Sequence, residues 1–176
     1  MALQQDVLRK MFEEVSLGAP ENAIGFVLWR ITSHYQREMD RVLAAVDLSN
    51  LQFVTLALVG WFERNETVAT QVALSRFGGI HPMQLSQMLK ILEAKRLIVR
   101  KRDALDSRAK QVKLTRKGLD ALRRAFPLAI DVQTRLFGEA GAKGSPLLKA
   151  LLQLDARLSS TTDLLPGASP SVLSDS

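Results

Sequence analysis

Apolar residues in the first half of the chain return every three or four positions, the spacing of one face of an α-helix. Leu3, Val7, Leu8, Met11, Phe12 and Val15 mark a short amphipathic helix over residues 3–15, ended by Gly18-Ala19-Pro20. A second stripe runs through Ile24, Val27, Leu28, Ile31, Tyr35, Met39, Val42 and Val46. It predicts a helix over 22–46 that Asn22 or a neighbour caps. Ser49 and Gln52 have the spacing of a capping box, in which each side chain satisfies the other residue's backbone N–H. They open a third helix from about 50 to 62, apolar on most sides as a buried helix is. Residues 69–77 predict a short helix stopped by Gly78-Gly79. Pro82, whose missing N–H costs nothing in a first helical turn, starts another that runs to about Lys95.

The period then changes. Leu97 to Arg102 is β-branched and basic, and Gln111-Val112-Lys113-Leu114 alternates polar with apolar, so both predict strands. Between them Asp103 to Ala109 is polar and turn-prone, which makes the pair a hairpin around a charged loop. Thr115 caps a long helix carrying Leu119, Leu122, Phe126, Ile130 and Phe137, which Pro127 should kink or split. Residues 138–144 predict a turn and 147–158 a last amphipathic helix. The Pro/Ser-rich tail over 164–176 is expected to be disordered.

Short helix, glycine turn, helix, basic hairpin is the order of a winged helix-turn-helix, placed at about residues 48–117. The fold class expected is therefore mainly α with a small β-hairpin. About half the chain lies in amphipathic helices outside that unit, and a twofold partner is the simplest cover for them. The expected layout is an N-terminal extension over 1–21 and one domain over 22–163, with dimerisation helices at 22–46 and 118–163.

Charge sharpens this picture. The net charge is +6, yet residues 90–124 hold 13 Lys or Arg against 4 Asp or Glu. The flanking segments 1–89 and 125–176 are mildly acidic. Such clustering fits either a solvated helix face or a polyanion footprint, and only the second explains why it coincides with the hairpin. Apolar residues at 47% suffice for a core, and the absence of cysteine removes disulfides and thiolate chemistry. No secretory signal is visible at Met1 to Asp6, and the longest apolar stretch, 53–62, is too short for a bilayer. A soluble cytoplasmic protein is expected.

Candidate DNA contacts follow from the faces. In the helix over 82–95, Leu85, Met88, Leu89 and Leu92 point inward, leaving Met83, Gln84, Ser86, Gln87 and Lys90 outward. Glutamine can offer a donor and an acceptor together to an adenine edge, and Ser and Lys can reach bases or phosphates. At the hairpin tip Arg108 can enter a narrow minor groove, with Asp106 two residues back to hold its guanidinium. Each feature alone is also what a polar helix face or a surface ion pair looks like. His81, Arg102 and Lys110 are candidates for phosphate, His81 equally for a helix cap.

At this point the sequence resembles the MarR family of bacterial regulators. The matching residues are Leu48-Ser49-Asn50-Leu51-Gln52-Phe53, Leu92-Glu93-Ala94-Lys95, Arg102-Asp103-Ala104-Leu105-Asp106-Ser107-Arg108, and Leu114-Thr115-Arg116-Lys117-Gly118. Their order and spacing are similar over roughly residues 22–160. The resemblance implies an obligate homodimer built by terminal helices, binding pseudo-palindromic operators on double-stranded DNA and released by a small, often aromatic anionic ligand. It also implies that Gln84, Ser86 and Gln87 lie on the recognition helix and that Arg108 is the wing arginine. Two departures stand out: Arg96 occupies the family's usual glycine after that helix, and Ser107 a common Arg or Lys. No residues carry over to an effector site.

An enzyme finds little support. His34 and Glu38 could offer two metal ligands four residues apart, with no third evident. The glycine-rich 138–145 fails as a phosphate loop because Lys143 precedes Gly144 and no strand leads in. No cofactor or catalytic residue is expected. The alternative class is a helical protein-interaction module with a basic surface, which would leave the hairpin unexplained.

Overall fold

Several of the helices start where a side chain accepts from a first-turn N–H or where proline removes one of those donors. In the computed structural model, which describes residues 2–14, 17–102 and 110–163, α1 spans Ala2–Glu14 and α2 Ile24–Leu43. A short 3-10 turn, Ala44–Val46, follows α2. The expected asparagine cap is not formed: Ala23 stands at the N-cap of α2, and the Asn22 side-chain amide donates back to the Leu17 carbonyl at 2.8 Å. The preceding 3-10 turn Pro20–Asn22 places Asn22 one residue too early to reach α2's first N–H groups.

Helix α3 (Asn50–Arg64) does open with the capping box: Ser49 Oγ accepts from the Gln52 N–H at 3.2 Å and Gln52 Oε1 from the Ser49 N–H at 3.4 Å. Its Phe53, Leu56 and Val59 are buried, as is Thr55, whose hydroxyl donates to the Leu51 carbonyl within the helix. Helix α4 (Gln71–Gly78) is capped by Thr70 and ends at Gly79, whose φ of 60° is left-handed. Helix α5 (Pro82–Ala94) follows, then β1 (Ile98–Arg102), β2 (Lys110–Leu114), α6 (Arg116–Phe137) and α7 (Pro146–Asp163).

Two units can be told apart, residues 1–129 and 130–176. In the first, α3 is the centre: α2, α4, α5 and β2 all pack on it. Met39 and Leu43 from α2, Leu74 from α4 and Leu85, Leu89 and Leu92 from α5 are fully buried. Each such side chain contributes about 1.5–3 kcal/mol of transfer free energy. The strands form one antiparallel pair, with register from Ile98↔Leu114 to Arg102↔Lys110.

Pro127 lies inside α6 without dividing it. Of the two outcomes expected, a kink or a split, the split does not occur: Pro127 and Arg123 are both exposed, so water can take the carbonyl bond that proline cannot make. In the second unit, Ser145 caps α7: its hydroxyl accepts from the Leu148 N–H at 3.1 Å. The tail expected to be disordered, 164–176, lies outside the described residues.

Candidate nucleic-acid interface

Helices α4 and α5 are joined by a turn too tight for most residues. Gly79 takes the left-handed conformation, and Ser75 Oγ closes the turn by donating to the Ile80 carbonyl at 2.7 Å. The next helix begins at once. His81 is its N-cap, Nδ1 accepting from the Met83 N–H at 3.3 Å, and Pro82 takes the first helical position. This satisfies the cap half of the two roles expected for His81.

On α5 the two faces separate as the sequence pattern requires. Leu85, Leu89 and Leu92 are fully buried and Met88 is half-buried. Met83, Gln84, Gln87 and Lys90 are exposed, and Ser86 is half-buried at the edge of that face. Met83, Gln87 and Lys90 share one ridge, because residues four and three apart are neighbours on a helix.

The C-terminal end of α5 is braced from three sides. Lys95 donates to the Asp47 carbonyl at 2.6 Å and to Gln52 Oε1 at 3.1 Å, and pairs with the Asp47 carboxylate at 3.0 Å. Gln52 therefore serves both the capping box of α3 and the end of α5. Glu93 accepts from Arg100 Nε at 2.8 Å, and from its Nη2, which ties α5 to β1. Thr115 Oγ1 donates to the Arg96 carbonyl at 2.7 Å, and Lys117 Nζ to the Lys95 carbonyl at 3.0 Å. Arg96 itself has φ of 60°, so the turn closes in the left-handed region without the glycine usual there in the resembled family.

The hairpin is anchored in the same way. Paired residues of an antiparallel ladder share a face, so Ile98, Leu114, Arg100 and Val112 lie on one side and Val99, Lys113, Lys101 and Gln111 on the other. Ile98 and Val112 are buried, whereas Lys101 and Lys113 are exposed. The Val112 N–H donates to the Ala69 carbonyl at 2.8 Å, and Thr70 bridges Gln111. The segment before α4 thus adds a third edge to the hairpin. Glu63 at the end of α3 accepts from the Leu114 N–H at 2.7 Å.

Some candidates are brought together by this scaffold and some are not reached by it. Arg102 and Lys110 are register partners at the open end of the ladder. Asp106 and Arg108 lie outside the described residues. Lys101 and Lys113, missed by reasoning on the sequence alone, add two exposed cations to the hairpin's outer face. Strict alternation from the buried Ile98 and Val112 would have found them. His34 and Glu38 gain no companion ligand: no cluster of three or more metal-binding side chains occurs among the described residues. No single helix among those residues is long and apolar enough to cross a membrane.

Residues 45–132, half the chain and the whole braced unit, match the family described as ArnR1-like, winged-helix domain. The uncharacterized HTH-type transcriptional regulator YdcH of Bacillus subtilis (strain 168) is 30% identical over 124 residues, 70% of this chain and 84% of that protein. The fold is shared with a mutant of MarR from E. coli complexed with operator DNA, at a TM-score of 0.60 and 22% identity over 81% of this chain and 94% of that one. It is shared too with CouR from Rhodococcus jostii RHA1 bound to p-coumaroyl-CoA, at 0.63 and 23% over 89% and 99%. Sequence motifs, braced helix-turn-helix, hairpin and relatives agree, and the chain belongs to the MarR family of winged helix-turn-helix transcriptional regulators.

Proposed function

We propose that two copies of this chain bind an inverted repeat in duplex DNA, each placing α5 in the major groove and the hairpin tip in the adjacent minor groove. The observation that carries the reading is the exposed ridge of α5, held at fixed geometry against α3 by the Lys95 contacts and against a basic hairpin by Glu93. Gln84 and Gln87 read base edges, with Met83, Ser86 and Lys90 beside them. Arg108, steadied by Asp106, enters the minor groove, and Arg102, Lys110 and the exposed Nε2 side of His81 contact phosphate. The amphipathic helices outside the winged unit form the dimer interface. In this role the protein performs no catalysis, needs no cofactor and works in the cytoplasm, where the DNA is.

Release by a small aromatic or anionic ligand, with repression as the basal state, completes the reading. The p-coumaroyl-CoA complex of CouR supports it. Coupling of about 1–3 kcal/mol between ligand and DNA would loosen binding roughly 5- to 150-fold.

The decisive experiment selects bound duplexes from a random pool. Recovered sequences should show dyad symmetry with half-site centres about 10 bp apart. Their affinity should fall with salt at a log–log slope on the order of −5 or steeper. Equal affinity for every sequence, or a flat salt response, would refute the proposal and favour the protein-interaction module.

A further inference from the structure

We propose that Met83 is a specificity-determining residue that reads the 5-methyl group of a thymine, one or two base pairs from the adenine read by Gln87. The inference rests on the major-groove placement of α5 proposed above and adds to it which base the apolar part of the ridge selects. Met83 is 70% exposed, although it belongs to the first turn of the helix whose N-terminal residues approach base edges. Its backbone is pinned by the bond from its N–H to His81 Nδ1, so the side chain projects from a fixed point. Methionine is unbranched and polarizable, which lets it follow a shallow apolar surface.

The chemistry of the groove leaves one partner. Among the four bases seen from the major groove, thymine alone presents a methyl group, at C5; cytosine shows only a hydrogen there, beside its N4 donor, and the purines present donors and acceptors. A thioether cannot satisfy those polar edges, and burying them against it would leave them unpaired. Gln87 stands one turn further along the same ridge, about 6 Å away. Base pairs stack at about 3.4 Å, so that offset spans between one and two steps. The half-site should therefore pair a thymine with an adenine at that spacing.

Deoxyuridine tests this directly, since it keeps thymine's hydrogen-bonding edge and lacks only the methyl. With the selected operator in hand, each thymine is replaced singly by deoxyuridine and binding is measured for the wild type, Met83→Ala, Met83→Leu and Gln87→Ala. One replacement per half-site should weaken the wild type about fourfold, the loss of one buried methyl group. Met83→Ala should bind the thymine and deoxyuridine duplexes equally, and Met83→Leu should keep part of the difference. Gln87→Ala should retain the full difference while losing preference at the adenine. Wild-type binding unmoved by every replacement, or a penalty that persists in Met83→Ala, overturns the proposal while leaving selective DNA binding intact. A selection that recovers no preferred sequence overturns the major-groove reading itself, and the methyl contact with it.

Discussion

Helices α1 and α5 are each 13 residues long and each carries an apolar stripe at helical spacing, yet they end in opposite environments. On α5 the stripe is fully buried at Leu85, Leu89 and Leu92. On α1 every side chain from Gln4 to Glu14 is exposed, with Val7 at 62% and Phe12 at 49%. The difference lies in neighbours more than in pattern. Helix α5 has a cap at His81, α3 and α4 against its apolar face, and β1 tied to it through Glu93. A stripe of apolar residues makes a helix amphipathic, but only a second surface makes the stripe stabilising. For α1 the surface expected is the partner copy.

The sharpest way to break this comparison is to truncate one leucine of the apolar stripe in each helix. Leu89→Ala should cost about 2–5 kcal/mol in denaturant unfolding, because it leaves a cavity in a packed site. Leu8→Ala, measured on the same assay, should cost well under half of that. Equal losses would mean that α1 is as firmly packed as α5.

Next in size is Gly118→Ala, which probes the bracing at the end of α5 from the opposite side. A β-carbon there would lie 2.0 Å from the Leu97 carbonyl oxygen, backbone that also accepts from Thr115. Helix α6 would have to move off the Leu97 backbone just before β1, at a cost of about 3 kcal/mol, read as a lowered unfolding midpoint. The sequence motif ending in Gly118 reveals this glycine, but its reason is a contact 21 residues away in the chain, which no local pattern displays.

The recognition elements should separate by selectivity. Gln87→Ala should weaken operator binding by about 1–3 kcal/mol and relax discrimination at one or two positions. Arg108→Ala should weaken operator and unrelated DNA alike and make the salt slope shallower. Wild-type affinity and slope in Arg108→Ala would leave α5 and other cations to carry the binding. Circular dichroism must first show that both variants fold.

Removing the apolar face of α1 tests its partner. Sedimentation of the wild type at low micromolar concentration should show about 39 kDa, twice the 19.5 kDa chain. The double substitution Val7→Ser with Phe12→Ser should raise the dimer dissociation constant about tenfold, roughly 1.4 kcal/mol. An unchanged constant would place the interface on other helices.

The smallest effect is expected at Arg96. Its left-handed backbone, φ 60°, disfavours any residue with a β-carbon, so Arg96→Gly should raise stability by about 0.5–1 kcal/mol. A loss instead would show that the arginine side chain holds the turn through contacts that outweigh the strain.

Local order was written in the chain. Helical periodicity, the Ser49–Gln52 spacing, Gly78-Gly79, His81-Pro82 and the alternation around Val112 placed every major element, because each signal acts within a turn or two of the backbone. Inward and outward faces of α5 followed from the same period, and with them Met83, Gln84, Gln87 and Lys90. Where two local options competed, the pattern was not enough. Asn22 could cap α2 or fold back on Leu17, and Pro127 could divide α6 or ride its wet face. Tertiary structure alone decided what joins elements distant in sequence: Lys95 on Asp47, Val112 on Ala69, Gly118 against Leu97. The physical reason is that periodicity states which side of an element is apolar, and a helix offers the same stripe to any neighbour. Which neighbour arrives, and at what distance, depends on the whole set of packed surfaces at once.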